Sequence, residues 1–230
     1  MQVGIAVDNT IPLHIPSFTE FIRAHSQAIR CRAINSPLRF AQRTIDYDAE
    51  VAKLSEGIRK ELEGSDLSLL LTAIPFANNF FYMGRGRLFM ISFSDWHMYT
   101  TLPMSNGLAY MLCQIITKYK MRIGENHNEN TGCINDFWYD KRGIDVGMRA
   151  AFVCDHCKAR SADNPHLASK DFADVVSILN AISLASRRGV DILSETPATG
   201  ADSNVRFDVF LCHNSQDKPT VRLLNETLKN

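Results

Sequence analysis

The sequence predicts a mixed α/β fold, and three observations support that prediction. Short apolar runs at 3–7, 67–74 and 88–93 have the length of strands and are bounded by turn-forming residues. Segments 18–30 and 51–62 repeat apolar residues at helical spacing. Strand-like and helix-like segments alternate along the chain, which is typical of a sheet covered by helices.

The runs 67–74 and 88–93 are apolar along most of their length, which predicts strands buried on both faces in the middle of a sheet. Segment 84–87 between them reads Gly-Arg-Gly-Arg. It lacks the glycine order and the following helix that would cradle a phosphate, so we interpret it as a hairpin turn.

Three more helices are predicted towards the middle and end of the chain. Ser105 is placed to cap a helix with an apolar face from 108 to 119, and a shorter helix spans 143–152. Segment 172–184 is apolar around most of its circumference, which predicts a largely buried helix. Residues 194–204 are rich in Pro, Gly, Ala, Thr and Ser, which predicts a linker after a module at 1–193.

Composition excludes several classes of partner. The 230 residues carry 25 Lys plus Arg and 25 Asp plus Glu, so no net field favours nucleic acid or an anionic membrane. No apolar run approaches the roughly 20 residues of a membrane-spanning helix. The N-terminus lacks the basic and apolar regions of a signal peptide, so we expect a cytoplasmic protein.

Six cysteines are too few for a disulfide scaffold in a chain of this length, so their spacing is considered for metal binding first. Cys154 and Cys157 form a C-x-x-C turn, and His127 and Cys133 lie upstream in a polar loop. Together they offer one nitrogen and three sulfurs, a common structural zinc set. The sequence therefore predicts a zinc ion that joins the loop to the following segment.

Two other interpretations of this cluster remain open. His127 can be an ordinary loop residue and the cysteines buried and reduced, or His156 can replace His127 as a ligand. The C-x-x-C pair can also be a redox site, although that motif favours a first cysteine at a helix N-terminus and here the pair follows a helix.

The region also resembles archaemetzincin-type zinc proteases. In that family a helix with H-E-x-x-H precedes a His- and Cys-bearing loop and a distal C-x-x-C. The matching helix here, residues 108–114, reads Leu-Ala-Tyr-Met-Leu-Cys-Gln and has no histidine or glutamate. The resemblance thus implies a structural zinc site without a catalytic one. The segment from Gly132 to Cys157 also resembles an uncharacterised region of bacterial proteins.

Two further sites have simpler explanations. Trp96 and His97 follow a predicted strand, and a tryptophan packed on the core beside an exposed histidine is the expected outcome. Asp136 and Asp140 flank an aromatic run and can act as a carboxylate pair. Without an identifiable third partner, caps or salt bridges are the favoured roles.

Residues 205–230 predict a strand, a polar loop and a helix that Pro219 can open. The passage 207–218, Phe-Asp-Val-Phe-Leu-Cys-His-Asn-Ser-Gln-Asp-Lys, resembles the opening of a Toll/interleukin-1 receptor (TIR) domain, which has a flavodoxin-like fold. The resemblance implies that Ser215, Asp217 and Lys218 border an NAD⁺ pocket. Such domains need on the order of 100–150 residues, so we expect only the start of one here and no catalytic residue within it.

Three hypotheses for function follow. In the first, residues 1–193 regulate a bacterial defence or signalling protein whose complete TIR domain cleaves NAD⁺, and this fragment alone is inactive. In the second, the TIR domain is a scaffold that acts through homotypic contacts. In the third, the chain is a degenerate zinc metallopeptidase.

Overall fold

The computed structural model describes residues 1–194. Four of its five strands pair in parallel, and the edge strand β4 pairs antiparallel with β5. The predicted mixed α/β fold and the hairpin around 84–87 are confirmed. The sheet has the order β2-β1-β3-β5-β4, with strands β1 (Gln2–Val7), β2 (Arg30–Ala33), β3 (Leu67–Thr72), β4 (Tyr82–Arg85) and β5 (Leu88–Ser92).

The central strands are buried on both faces, as their continuous apolar sequence predicts. Alternate side chains enter a larger core on one face and a smaller core on the other. The larger core receives Val3, Ile5, Leu69, Leu71, Phe89 and Ile91, and the smaller core receives Ala6, Leu70 and Met90.

Eight α-helices are found in residues 1–194, together with a π-helical turn at Ile116–Met121 and a 3₁₀ turn at Pro165–Ala168. The helices are α1 (Ile15–His25), α2 (Tyr47–Ala52), α3 (Glu56–Leu62), α4 (Trp96–Tyr99), α5 (Met104–Ile115), α6 (Gly143–Ala150), α7 (Asp155–Arg160) and α8 (Lys170–Arg188).

Capping explains where the helices differ from the predicted spans. The predicted helix 51–62 is two helices, because the Ser55 side chain accepts the backbone N–H of Ile58 and starts α3 as a new helix. Ser105 is not a cap, since α5 begins after Pro103. The Ser105 hydroxyl instead hydrogen-bonds the Asp191 carboxylate beyond α8.

Helix α5 lies inside the protein, because every residue from Ser105 to Ile115 is buried. Gly107 makes this packing possible, since a Cβ atom there would lie 2.3 Å from the Trp96 ring. Trp96 is buried and His97 is exposed, as the sequence predicts. Helix α5 is therefore held in a fixed position, and neighbouring segments pack against it.

Asp174 on α8 closes the junction between α1 and β2. Its carboxylate accepts the backbone N–H groups of Gln27, Ala28 and Ile29 at 2.6–2.9 Å. The side chain is almost fully buried, so water cannot easily replace its carboxylate as the acceptor of the buried Ile29 amide. The contact joins residues about 145 positions apart in the sequence.

No helix within residues 1–194 is long and apolar enough to cross a membrane. Residues 195–204 of the predicted linker, and all of 205–230, lie outside the described residues. The division of the chain after residue 193 therefore stays a prediction, as does the cytoplasmic location.

We expect Asp174→Ala to lower the free energy of unfolding by about 2–4 kcal/mol, because it removes one acceptor of three backbone amides, among them the buried amide of Ile29. Urea denaturation measures the change. Asp163→Ala is the control, since Asp163 is exposed and its loss should change the free energy by less than about 0.5 kcal/mol. Equal stability of the two variants would contradict this role of Asp174.

Candidate metal centre

The chain between α5 with its π-helical turn and α6 forms a long loop, residues 122–142, which contains no helix or strand. Two isolated bridges order it: His127 pairs with Asp136, and Cys133 pairs with Phe152. Helix α5 supplies another anchor, since the Gln114 side-chain amide donates to the Ile134 carbonyl oxygen at 2.7 Å. These contacts bring the loop against the segment that leads into α7.

The four predicted ligands converge in space. One ligand atom from each of His127, Cys133, Cys154 and Cys157 can be chosen so that all lie within 4.8 Å of one another. His127 Nε2 lies 3.1 Å from Cys157 Sγ and 3.7 Å from Cys154 Sγ. Ligand atoms around a tetrahedral zinc ion are about 3.5–3.8 Å apart, given Zn–S and Zn–N bond lengths. The cluster could therefore hold a zinc ion.

The local structure at Cys154 differs from the expectation. Cys154 does not merely follow a helix but is the N-cap of α7, and its Sγ accepts the backbone N–H of Cys157 at 3.3 Å. The sequence analysis disfavoured a redox pair because the pair follows a helix. That argument was wrong, because Cys154 lies at the N-terminus of α7. A dithiol alone, however, leaves unexplained why His127 and Cys133 come to the same point.

Asp136 fixes the orientation of the His127 ring. Its Oδ1 lies 3.1 Å from His127 Nδ1 and accepts the Thr131 hydroxyl at 2.9 Å, while Oδ2 accepts the Gly132 N–H at 2.7 Å. A carboxylate at Nδ1 favours the tautomer with the proton on that nitrogen. Nε2 then presents its lone pair towards the thiols, as a metal ligand requires.

Gly124 and Asn135 complete the surroundings of Cys157. The Asn135 amide donates to Cys157 Sγ at 3.1 Å and to the Ile123 carbonyl at 2.9 Å. Gly124 has φ +77°, and a Cβ atom there would lie 2.4 Å from Cys157 Sγ. Glycine is required for both reasons.

The thiols are poorly suited to carry charge without a cation. Burial, with Cys154 and Cys157 nearby, raises the pKa of the Cys133 thiol to about 12. Burial also raises the pKa of Cys157, although the Asn135 amide opposes that shift. A bound divalent cation deprotonates coordinating thiols and offsets both effects. This donor set therefore fits zinc.

The remaining candidate residues do not join the cluster. His156 is exposed, and its ring centroid lies 6.1 Å from that of His127. Asp140 is exposed and forms an ion pair with Arg142, the simpler role that the sequence favoured. The predicted NAD⁺-pocket residues lie outside the described residues: Ser215, Asp217 and Lys218.

Sequence reasoning found the four residues that converge in the cluster and missed the residues that hold them in place. Asp136 was considered only as one of a carboxylate pair, and Asn135 and Gly124 were not considered. The H-x₅-C and C-x-x-C spacings signal the ligands, whereas nothing in the spacing of Asn135 or Gly124 indicates a contact with Cys157.

No family model matches the chain, and no curated protein matches it. Among solved structures, the chain is similar to a zinc-dependent peptidase from Methanocorpusculum labreanum (strain Z), with a TM-score of 0.46 and 14% sequence identity. The similarity covers 69% of this chain and 98% of that chain.

The TIR interpretation was wrong on these comparisons. No family model of a TIR domain matches any part of the chain. NAD⁺ as a substrate, the defence role and homotypic TIR contacts all depended on that resemblance, so they are left without support. The TIR prediction rested on the short passage 207–218, and no other part of the chain was used to test it.

We expect Asp136→Asn to weaken zinc binding roughly 10- to 100-fold, the usual effect of losing a partner that orients a ligating histidine. Competition with a chromophoric chelator measures the affinity. Asp140→Asn is the matched control four positions away, because Asp140 contacts Arg142 and not a ligand. A loss of affinity in both variants, or in neither, would contradict the role given to Asp136.

Proposed function

We propose that this chain is a zinc-binding α/β protein in which one structural Zn²⁺ joins the 122–142 loop to α7. The observation that carries the proposal is the convergence of four protein ligand atoms within 4.8 Å. Cysteine and histidine are the preferred zinc ligands, and a site with four protein ligands keeps no position for water or substrate. The ion's contribution is then to the stability of the loop.

The same cluster argues against peptide hydrolysis. Within residues 1–194 it is the one group of three or more His, Cys, Asp or Glu side chains whose ligand atoms converge. A hydrolytic zinc needs an open position and a neighbouring general base. Residues 108–114 of α5 offer neither histidine nor glutamate. We therefore propose a degenerate peptidase-like protein that keeps a structural ion and lacks a catalytic one.

Elemental analysis of the purified chain should give one zinc per molecule, and Cys154→Ser should lose it. We expect the melting temperature of that variant to fall by roughly 10 °C, because a tightly bound ion adds several kcal/mol of stability. Cys31→Ser is the control, since Cys31 lies on β2 and is not a member of the cluster. It should retain the zinc.

A metal-free wild-type protein with the same stability as Cys154→Ser would refute the structural ion. Zinc retained by Cys154→Ser at full affinity would instead show that the ligands lie elsewhere. Recovery of a Cys154–Cys157 disulfide in place of zinc would favour the redox interpretation.

The zinc-loaded chain should show no hydrolysis of casein or of a quenched fluorescent peptide library above the rate after chelation. The reason is that the proposed ion is fully coordinated by protein and that residues 108–114 of α5 supply no glutamate to activate water. Turnover that is removed by a chelator and restored by zinc would overturn the non-catalytic assignment. The Cys154→Ser variant serves as the background.

A further inference from the structure

A cleft separate from the metal ligands opens between β4, the end of α5 and the segment 136–141. Its volume is about 150 Å³, similar to cavities that take up benzene. None of the four metal ligands lines it. Six of its twelve lining residues are aromatic, namely Phe80, Phe81, Tyr82, Tyr119, Phe137 and Trp138.

Two lysines face this cleft without a counter-ion. Lys141 is only 8% exposed, and its Nζ lies 4.7 Å from the Phe81 ring centroid and 5.2 Å from that of Tyr99. Neither Lys141 nor Lys118 donates a side-chain hydrogen bond or forms an ion pair with any residue in 1–194. Buried ammonium groups normally have such a partner, because desolvation of the charge is costly.

Burial lowers the pKa of both amines. It lowers the pKa of Lys118 to about 8, against the opposite effect of Cys133, Asp136 and Cys157, and it lowers the pKa of Lys141 against the opposite effect of Asp95. The Asp136 carboxylate lines the cleft, but its oxygens accept hydrogen bonds from the 122–142 loop. Neither ammonium group therefore forms an ion pair with a carboxylate among the described residues.

The Trp138 ring lines the cleft, but its Nε1 is buried, has no hydrogen-bond partner among the described residues and does not open onto the cleft. The ring edge that carries Nε1 packs against α6, since Cβ atoms at Gly143 and Gly147 would lie 2.5 Å from Trp138 Cδ1 and 2.6 Å from Trp138 Cζ2. The cleft therefore presents two ammonium groups beside aromatic rings.

We infer that this cleft binds a small anion that carries a planar apolar group, with the anion at Lys118 and Lys141 and the ring against the aromatic residues of the cleft. Carboxylates and phosphate esters share the required chemistry, since either accepts charge-assisted hydrogen bonds from ammonium donors. The aromatic walls supply the apolar contact and the cation–π environment. The ligand class follows from what the cleft leaves unpaired.

The test uses the full ¹⁵N-labelled chain and its indole N–H resonances. Titration with phenyl phosphate or with benzoate should move the Trp138 resonance saturably because its ring lines the cleft, and the Trp96 resonance should stay in place because Trp96 does not line it. The two probes distinguish a phosphate ligand from a carboxylate ligand. Benzyl alcohol, which carries the ring without the charge, should bind at least tenfold more weakly than the better anion.

Lys118→Met and Lys141→Met should each weaken binding of that anion about tenfold, the effect of losing one charge-assisted hydrogen bond. Lys120→Met is the matched control, because Lys120 lies on the same π-helical turn and does not line the cleft. An unchanged Trp96 resonance and an unchanged zinc content verify that each variant is folded. Two independent lysine variants keep the test valid if one of them fails to fold.

Three results would overturn the inference: no saturable shift of the Trp138 resonance with either anion, equal binding of benzyl alcohol, or equal weakening in Lys120→Met. None of these outcomes depends on whether the metal is zinc, because zinc is measured separately in each sample. Failure of the anion site and failure of the structural ion are therefore distinguishable.

Discussion

The organisation of the middle of this protein depends on how a loop without regular secondary structure is held in one conformation. Residues 122–142 cannot satisfy their backbone groups through a helix or sheet, so each must find a specific partner. The Gln114 and Asn135 amides and the Asp136 carboxylate supply several of these partners. The proposed Zn²⁺ at His127 and the three thiols would add a cross-link from this loop to α7. Chain entropy favours such a cross-link, because ordering a long loop is costly.

The buried polar residues of α5 explain why the loop can be fixed at all. Asn106 donates to the Ser186 hydroxyl and the Val190 carbonyl, and its own oxygen accepts the Ile192 N–H. One turn further along, the Tyr110 hydroxyl reaches the Cys133 carbonyl, and Gln114 follows on the same side. Polar groups on a fully buried helix suggest chemistry at first sight. Here their partners lie on α8, on the segment just after it and on the loop, so their role is to fix neighbouring segments.

The sequence predicted what depends on periodicity and spacing. Continuous apolar runs identified the central strands, and H-x₅-C with C-x-x-C identified the cluster. Contacts between residues distant in sequence could not be predicted, because no local pattern encodes them. Asp174 accepts hydrogen bonds from amides about 145 residues away, and the fold alone brings Lys118 and Lys141 to the same cleft. The passage 207–218 was misleading for the opposite reason, since a strand, a polar loop and a helix start occur in many α/β proteins.

The cleft and the metal centre share the segment 136–141, so the shape of the cleft depends on how the metal centre holds that segment. Asp136 holds the His127 ring, and a few residues later the same stretch places Trp138 and Lys141 on the wall of the cleft. The opposite wall belongs to the end of α5 and its π-helical turn, a type of irregularity that is frequent at functional sites. If the ion orders the loop, it also positions the wall that carries Trp138 and Lys141. The structural ion would then influence ligand binding without touching the ligand, because it determines whether the cleft exists.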